Sequence, residues 1–282
     1  GLAALVNAAS CDFEGKTITV SGDIDLSGRQ WRPVGDFSTT PVKAFEGTFD
    51  GGGNTIKNLT ISGTGTSAAL FGYIGVSGVV KNITVTGLIA GDYEYLAGVA
   101  DINRGVIERC ENRAAVTGTL IDHFDDDEES RCAGIAARNF GRISSCVNSA
   151  RVEGGEAAGI SCENGGYYPS GLYQAEKAVI EGCENSGEII GKVNGRATTG
   201  GIAVTANSYT LKNCINRGPV KGRGNSAVGG IAAETDSRTD ATSSIDGCVN
   251  SGSVTLEGDG SGSGVGGIVG GTDGITKILN CR

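Results

Sequence analysis

The stretch Ile107-Glu108-Arg109-Cys110-Glu111-Asn112-Arg113-Ala114-Ala115-Val116-Thr117-Gly118 decides the fold, because its skeleton recurs along most of the chain. The pattern Ile-x-x-Cys-x-Asn returns at Ile143…Cys146…Asn148, Ile180…Cys183…Asn185, Leu211…Cys214…Asn216 and Ile245…Cys248…Asn250, and begins again at Ile278…Cys281. Six residues after the Cys stands a β-branched side chain (Val116, Val152, Ile189, Val220, Val254), usually followed two residues on by Gly, as at Gly118, Gly154, Gly191 and Gly222. Upstream, Val80…Ile83…Ile89 and Ile56…Leu59 fit the same slots without Cys. A second short element alternates with these blocks: Ala69-Leu70-Phe71, Gly98-Val99-Ala100, Gly134-Ile135-Ala136, Gly159-Ile160-Ser161, Gly201-Ile202-Ala203, Gly230-Ile231-Ala232 and Gly267-Ile268-Val269.

Taking positions 59, 83, 110, 146, 183, 214, 248 and 281 as equivalent, the repeats measure 24, 27, 36, 37, 31, 34 and 33 residues. Such variation excludes a helical solenoid of fixed period and suits coils whose corners absorb insertions. Each repeat offers short apolar runs separated by Gly, Asn and Ser, which is strand-and-turn chemistry. One coil cannot bury its own apolar face, but stacking on the next at about 4.8 Å makes continuous parallel sheets. The sequence therefore predicts an all-β fold, a parallel β-helix of seven to eight coils. It is expected to be right-handed, because parallel crossovers almost always are. The lead-in, residues 1–50, is expected to cap the first edge, and residues 51–282 to form the coils.

Equivalent slots of such a fold stack directly. Cys110, Cys146, Cys183, Cys214, Cys248 and Cys281 are expected to form one inward column, prolonged by Ile83 and Leu59. Asn112, Asn148, Asn185, Asn216 and Asn250 should form a second column at a bend, since Asn tolerates left-handed backbone and its amide can bond the next coil's amide. The offset of three from Ile107 to Cys110 breaks the strand period of two, so either a bend lies between them or one of the pair faces outward.

Composition bounds the function. The 282 residues carry 23 basic and 32 acidic side chains, a net charge of −9, which argues against nucleic acid as a partner. No apolar run is long enough to span a membrane. The 49 glycines disfavour long helices. The chain opens on Gly1-Leu2-Ala3 and has no Met, so it reads as a piece of a longer protein.

The run Phe45-Glu46-Gly47-Thr48-Phe49-Asp50-Gly51-Gly52-Gly53-Asn54-Thr55-Ile56-Lys57-Asn58-Leu59, followed by Ala69-Leu70-Phe71-Gly72, resembles the GLUG-motif repeats of bacterial surface proteins. Asp23-Ile24-Asp25-Leu26 and Trp31-Arg32-Pro33-Val34-Gly35 look like the lead-in that commonly precedes them. Ala69 stands where that motif's first Gly would be. The resemblance covers nearly all the chain and is strongest from about residue 16 to 90. Such repeats occur beside the catalytic part of immunoglobulin A1-type proteases and in adhesin-like proteins, so the resemblance implies an extracellular, cell-surface location and supplies no active site.

The remaining chemistry divides between functional and plain readings. Nine cysteines could pair, but the count is odd and six occupy one repeating slot, which favours reduced core packing over disulfides or zinc. The single histidine, His123, excludes a His-Glu-x-x-His metalloprotease site in this chain, and no Gly-x-Ser-x-Gly elbow accompanies it. Around it, an acidic insertion at 119–131 containing Asp125, Asp126 and Asp127 could hold calcium, although charge runs are usually only solvated. Outward slots place Glu108, Ser144, Glu181, Lys212 and Asp246 in one row and Glu111, Val147, Glu184, Ile215 and Val249 in another. Acids thus recur on alternate coils, roughly 9.6 Å apart, a marginal separation for an inverting glycosidase pair. Two aromatic segments expected on corner loops, one with Tyr167, Tyr168 and Tyr173 and one with Tyr93 and Tyr95, either make protein or glycan contacts or fold back over their own coil.

The expected function is accordingly a non-catalytic, adhesin-like or spacer module of a larger bacterial surface protein. It needs no cofactor, calcium excepted, and works as a monomer whose partners are host or cell-surface proteins or glycans. The competing classes are a β-helix carbohydrate-active enzyme and an accessory domain of a surface protease.

Overall fold

The computed structural model describes residues 2–8, 11–119, 129–165, 178–192, 198–207, 209–223, 227–236, 243–258, 264–273 and 276–282. Each coil runs through three parallel sheets. The coil beginning at Val106 is representative: strand Val106–Glu108 lies in the first sheet, Glu111–Gly118 and Arg131–Ala133 in the second, and Ala136–Asn139 in the third. Strand Arg142–Ser144 then re-enters the first sheet one rung on, pairing in parallel with Val106–Glu108. The fold is a parallel β-helix. The first sheet has nine rungs among the described residues, one more than the repeat alignment supplies.

The extra rung comes from the lead-in. Strand Thr17–Thr19 pairs with Thr48–Asp50, and Ile24–Asp25 pairs with Ile56 and Lys57. Residues 1–50 therefore contribute the first coil as well as a cap, and the stack does not begin at residue 51. Helix Leu2–Asn7 buries Val6, and Phe13, Phe45, Phe49 and Phe71 fill this end with ring contacts of 5.3 to 6.2 Å. Phe rings fill this end, whereas the later coils are filled mostly by Ile, Val, Ala and Cys, with Leu211 and Tyr209 among them.

The first sheet's inward row is Ile18, Phe49, Val80, Ile107, Ile143, Ile180, Leu211, Ile245 and Ile278, all in register. A bend separates this row from the Cys row. It sits one residue before each Cys, at Arg109 (φ 51°), Ser145 (φ 53°) and Asn213 (φ 52°), with Gly182 and Gly247 in the same conformation. Left-handed backbone costs a non-Gly residue about 1–2 kcal/mol. Coil-to-coil bonds hold it there, Arg109 N–H to Ser144 O at 3.0 Å and Ser145 N–H to Glu181 O at 2.9 Å. The bend lets Ile107 and Cys110 both point inward despite their odd spacing; both are buried.

Cys110, Cys146, Cys183, Cys214 and Cys248 stack as a buried column, and Cys281 is half-buried on the last rung. All nine cysteines are free. Thiols of the column lie 3.5 to 3.8 Å from carbonyl oxygens of the preceding rung, as from Cys146 to Ile107 and Cys214 to Ile180. Upstream, the repeated bond Val147 N–H to Cys110 O continues as Glu111 N–H to Ile83 O and Thr84 N–H to Asn54 O. Ile83 therefore prolongs the column, and the next slot belongs to Asn54. Leu59, which the spacing placed there, lies beyond a bulge after Ile56, in register with Gly87. The repeat equivalent of Ile107 in that coil is Phe49 rather than Ile56.

The Asn column is a continuous amide ladder. Nδ2 of Asn112 donates to Oδ1 of Asn148 at 2.9 Å, Asn148 to Asn185, Asn185 to Asn216 and Asn216 to Asn250, each at 2.8 Å. The second hydrogen of each amide reaches the carbonyl two residues on, for example Ala114 O at 3.0 Å. These residues are not left-handed, which corrects the expectation of an Asn bend: positive φ belongs to the residue before Cys, while Asn112 and its equivalents lie in strands. Four of the five are completely buried. A buried amide with every polar atom paired contributes net stability of about 0.5–1.5 kcal/mol per bond, whereas an unpaired one costs about 1–3 kcal/mol.

Candidate functional site

Where the second sheet turns into the third, the outer surface of the tube is concave. Side chains alternate along a strand, so Cys132 and Ala136 point into the main core while Ala133 and Ala137 point out into a second apolar cluster with Ala97, Ala158 and Cys162. This cluster floors a groove parallel to the helix axis. One wall carries Ser67, Tyr95, Arg131 and Glu156 in register; the other carries Tyr73, Ile102, Arg138 and Glu163. Small floor residues allow the walls' long side chains to meet across it.

They meet through charge. Arg138 forms a two-pronged pair with Asp101, Nε to Oδ1 and Nη2 to Oδ2, both at 3.1 Å. Both side chains are almost fully buried, 7% and 2% exposed. The guanidinium lies 3.6 Å from the ring centroid of Tyr95 on the opposite wall and 5.7 Å from that of Phe37 in the lead-in. In the same coil as Arg138, Arg131 reaches two acids of the next coil, Glu163 across the groove at 3.1 Å and Glu156 on its own wall at 3.4 Å, with Glu94 of the preceding coil at 3.8 Å. Thr198 donates to Glu156 at 3.2 Å.

Carboxylates outnumber guanidiniums here, and burial sets their protonation. Burial pushes Asp101 up to about 6, against the attraction of Arg138 and the Ser67 hydroxyl. Burial likewise lifts Glu156 to about 7 in spite of Arg131, and raises Glu163. Desolvation also raises the Tyr95 phenol. The groove thus holds two cations that stay charged and acids that take up protons near neutrality.

At its N-terminal end the groove opens into a cleft of about 220 Å³ lined by Asn7, Arg32, Asp36, Phe37, Ser38, Thr66, Ser67, Asp101 and Arg138. The lead-in segment that roofs it is stapled down. Asn7 donates to Pro33 O at 2.8 Å and accepts from Gly35 N–H at 2.8 Å, Trp31 Nε1 donates to Leu70 O at 2.9 Å, and Gly72 N–H donates to Val34 O at 2.8 Å. Gly35 adopts φ 87°, where a Cβ would lie 2.7 Å from Tyr73 O, so only Gly allows the roof to sit this close.

The residues singled out in the sequence fall differently. Tyr93 and Tyr95 are not on a corner loop: both belong to the long strand Thr84–Ala97, because Ser67, Tyr95 and Arg131 stay in register through it. Tyr95 is buried against Arg138, and Tyr93 is half-buried against the main core. Tyr167, Tyr168, Tyr173, Asp125, Asp126 and Asp127 lie outside the described residues. Among the described residues no three His, Cys, Asp or Glu side chains gather to hold a metal ion. The outward acids are engaged with bases: Glu108 with Arg109 at 2.5 Å, Glu111 with Arg113 at 2.7 Å, Glu181 with Arg142 at 2.7 Å and Glu184 with Arg217 at 2.9 Å. The Asp101–Arg138 pair was missed. Its one sequence signal is that Asp101 occupies the slot after Ala100 that Ala137 and Cys162 fill in the next coils.

Comparison with known proteins agrees with the architecture. The chain superimposes on the crystal structure of a "putative immunoglobulin A1 protease" from Bacteroides ovatus with a TM-score of 0.59, covering 94% of this chain and 68% of that one at 19% identity. At that identity the likeness is one of fold. In sequence, 109 residues are 29% identical to Halomucin of Haloquadratum walsbyi, covering 35% of this chain and 1% of Halomucin. A further 95-residue match is 33% identical to a "putative Gly-rich membrane protein" of Evansella cellulosilytica, covering 32% of this chain and 10% of that protein. The chain therefore matches a tenth or less of the length of these curated relatives. No family model matches it, so the GLUG likeness stays a resemblance carried by the residues quoted above. No helix among the described residues is long and apolar enough to cross a membrane.

Proposed function

We propose that the chain is a non-catalytic, extracellular module, adhesin-like with GLUG-type repeats, of a larger cell-surface protein. The observation that carries this reading is the use made of the outward carboxylates. A glycoside hydrolase needs two carboxyl groups facing its substrate, one to donate a proton and one to act as base or nucleophile. Glu108 and Glu181 stand two rungs apart in one row with Ser144 between them, and each is tied to an arginine. Ladders that satisfy their own hydrogen bonds and charges suit a rigid display scaffold. The names of the relatives, Halomucin and a "putative Gly-rich membrane protein", support a surface location.

The name of the Bacteroides ovatus neighbour favours a second reading, an accessory part of a surface protease. Both readings are tested by incubating the protein with polysaccharide and protein substrates and following product release. No turnover is expected, and Glu108→Gln and Glu181→Gln should be indistinguishable from the parent. Turnover abolished by either substitution would establish the competing carbohydrate-active enzyme.

A further inference from the structure

The cleft at the N-terminal end of the groove has features that support of the coil does not require. Its inner wall is a buried ion pair, Asp101 with Arg138, which adds little net stability because desolvating both charges offsets their attraction. The Ser67 hydroxyl beside Asp101 is buried yet has no well-aligned hydrogen-bond partner. The exposed guanidinium of Arg32 and the carboxylate of Asp36, which accepts from Ser38 N–H at 2.9 Å, stand at the rim. The roof is fixed by bonds to Trp31, Pro33 and Gly35, so its backbone is preformed and a ligand need not order it.

We propose that this cleft binds a neutral, polyhydroxylated ligand the size of one sugar ring, such as the terminal residue of a glycan. The charges decide the class. Arg32 and Arg138 balance Asp36 and Asp101, so a cation or an anion meets as much repulsion as attraction. An apolar ligand would give the Ser67 hydroxyl no better-aligned partner and would leave the remaining lone pairs of Asp101 unsatisfied. Ligand hydroxyls both donate and accept: they can donate to a carboxylate or to the Ser38 oxygen, whose own proton is given to Asp36 Oδ1 at 2.6 Å, accept from a guanidinium, and do either with Thr66 and Ser67. The volume suits one ring, and any further residues of a glycan would lie outside the cleft. The proposal deepens the adhesin-like reading by naming what the module would hold, and rests on it only for the ligand leaving unchanged.

The test is saturation-transfer NMR and calorimetry on the 282-residue protein with glucose, galactose, mannose, fucose and N-acetylglucosamine, with glucuronate and inorganic phosphate as charged comparators. At least one neutral sugar should bind saturably, and disaccharides ending in it should bind as well. Ser67→Val and Arg32→Ala should each weaken binding about tenfold, equivalent to 1.4 kcal/mol. Arg32 is exposed, so its variant keeps the test valid if the buried change at Ser67 impairs folding. Glu181→Gln, on the first sheet, should bind as the parent does. Binding of the charged comparators alone, no binding of any sugar, or binding that both cleft variants retain would overturn the proposal while leaving the non-catalytic reading in place. Conversion of a bound sugar to product would sink that reading, while loss of binding in the cleft variants would still uphold the cleft.

Discussion

A Cβ placed on Gly134 would lie 2.5 Å from Cγ of Asn148, and 2.2 Å from the carbonyl oxygen of Gly159. Gly98 stands in the same relation to Asn112, Gly159 to Asn185 and Gly201 to Asn216. The two repeated sequence elements are therefore one device: the Gly of the second opens the space that the amide ladder of the first occupies. Gly134→Ala is expected to destabilise the protein by about 1–3 kcal/mol through overpacking. Adding Asn148→Ala should restore only part of the loss, because the Gly159 carbonyl remains. Urea midpoints of the single and double variants check this, and full rescue would refute the backbone contribution.

Asn148→Leu removes both the donor to Asn185 and the acceptor for Asn112. Two buried neighbours are left unpaired, at about 1–3 kcal/mol each. The same change at Asn250, half-buried near the open end of the ladder, should cost less. Equal losses at both positions would argue that burial and the second ladder bond do not set the cost.

Cys183→Ala should cost roughly 1–3 kcal/mol, within the cavity range for a small buried side chain. Burial raises the thiols of Cys146 and Cys183 well above the ordinary value and pushes Cys132 up to about 12. Thiolates are therefore scarce in the folded protein, and a thiol reagent at pH 8 should modify Cys11 and Cys281 first. All nine should react after denaturation. Seven fast thiols in the native state would contradict the buried column.

Arg138→Met should be strongly destabilising, about 3–5 kcal/mol, because Asp101 is left buried without its counter-charge. Asp101→Asn combined with Arg138→Met should recover much of that loss. A double variant no more stable than the single one would mean that Arg138 acts through Tyr95 and Phe37 rather than through the ion pair.

Stability should also respond to pH through the groove. Glu156 titrates at about 7 when folded, above the ordinary 4.5, so between those values the folded chain holds a proton that the unfolded chain has released. Its contribution is full below the unfolded value and is lost as pH rises through 7. Asp101 acts in the same direction with a folded value of about 6. Asp25, held down to about 2 by Ser27 and Asn58, acts oppositely and only in acid. Thermal midpoints should therefore decline between pH 5 and 8, and Glu156→Gln should flatten that decline. An unchanged slope in the variant would remove Glu156 as its source.

The coil rows were legible wherever one side chain repeats at a fixed offset from another. Ile107, Cys110, Asn112 and Val116 have near-copies in the four repeats beginning at Ile143, Ile180, Leu211 and Ile245, and stacking forces copies into contact. Leu59 was misplaced because the bulge after Ile56 shifts register without changing residue type. Tyr95 read as a loop residue because its strand of 14 residues exceeds the usual length, and only pairing with Ser67 and Arg131 reveals the continuity. The groove's charged residues do not repeat: the slot holding Arg138 holds Ile102 one coil earlier and Glu163 one coil later. Pairs such as Asp101 and Arg138, 37 residues apart, leave no periodic trace.

The stacking of rungs also has a mechanical consequence. Hydrogen bonds between successive coils lie along the axis, so tension applied between the two ends loads one inter-coil seam at a time. A coil such as that from Ile245 to Ile278 spans 33 residues, in register at both ends. Folded, it adds about 4.8 Å to the length of the stack; pulled straight, it releases roughly 110 Å of chain. A tethered molecule under load would lengthen in discrete steps of that order, each dissipating the work of breaking one seam while the remaining coils keep their shape.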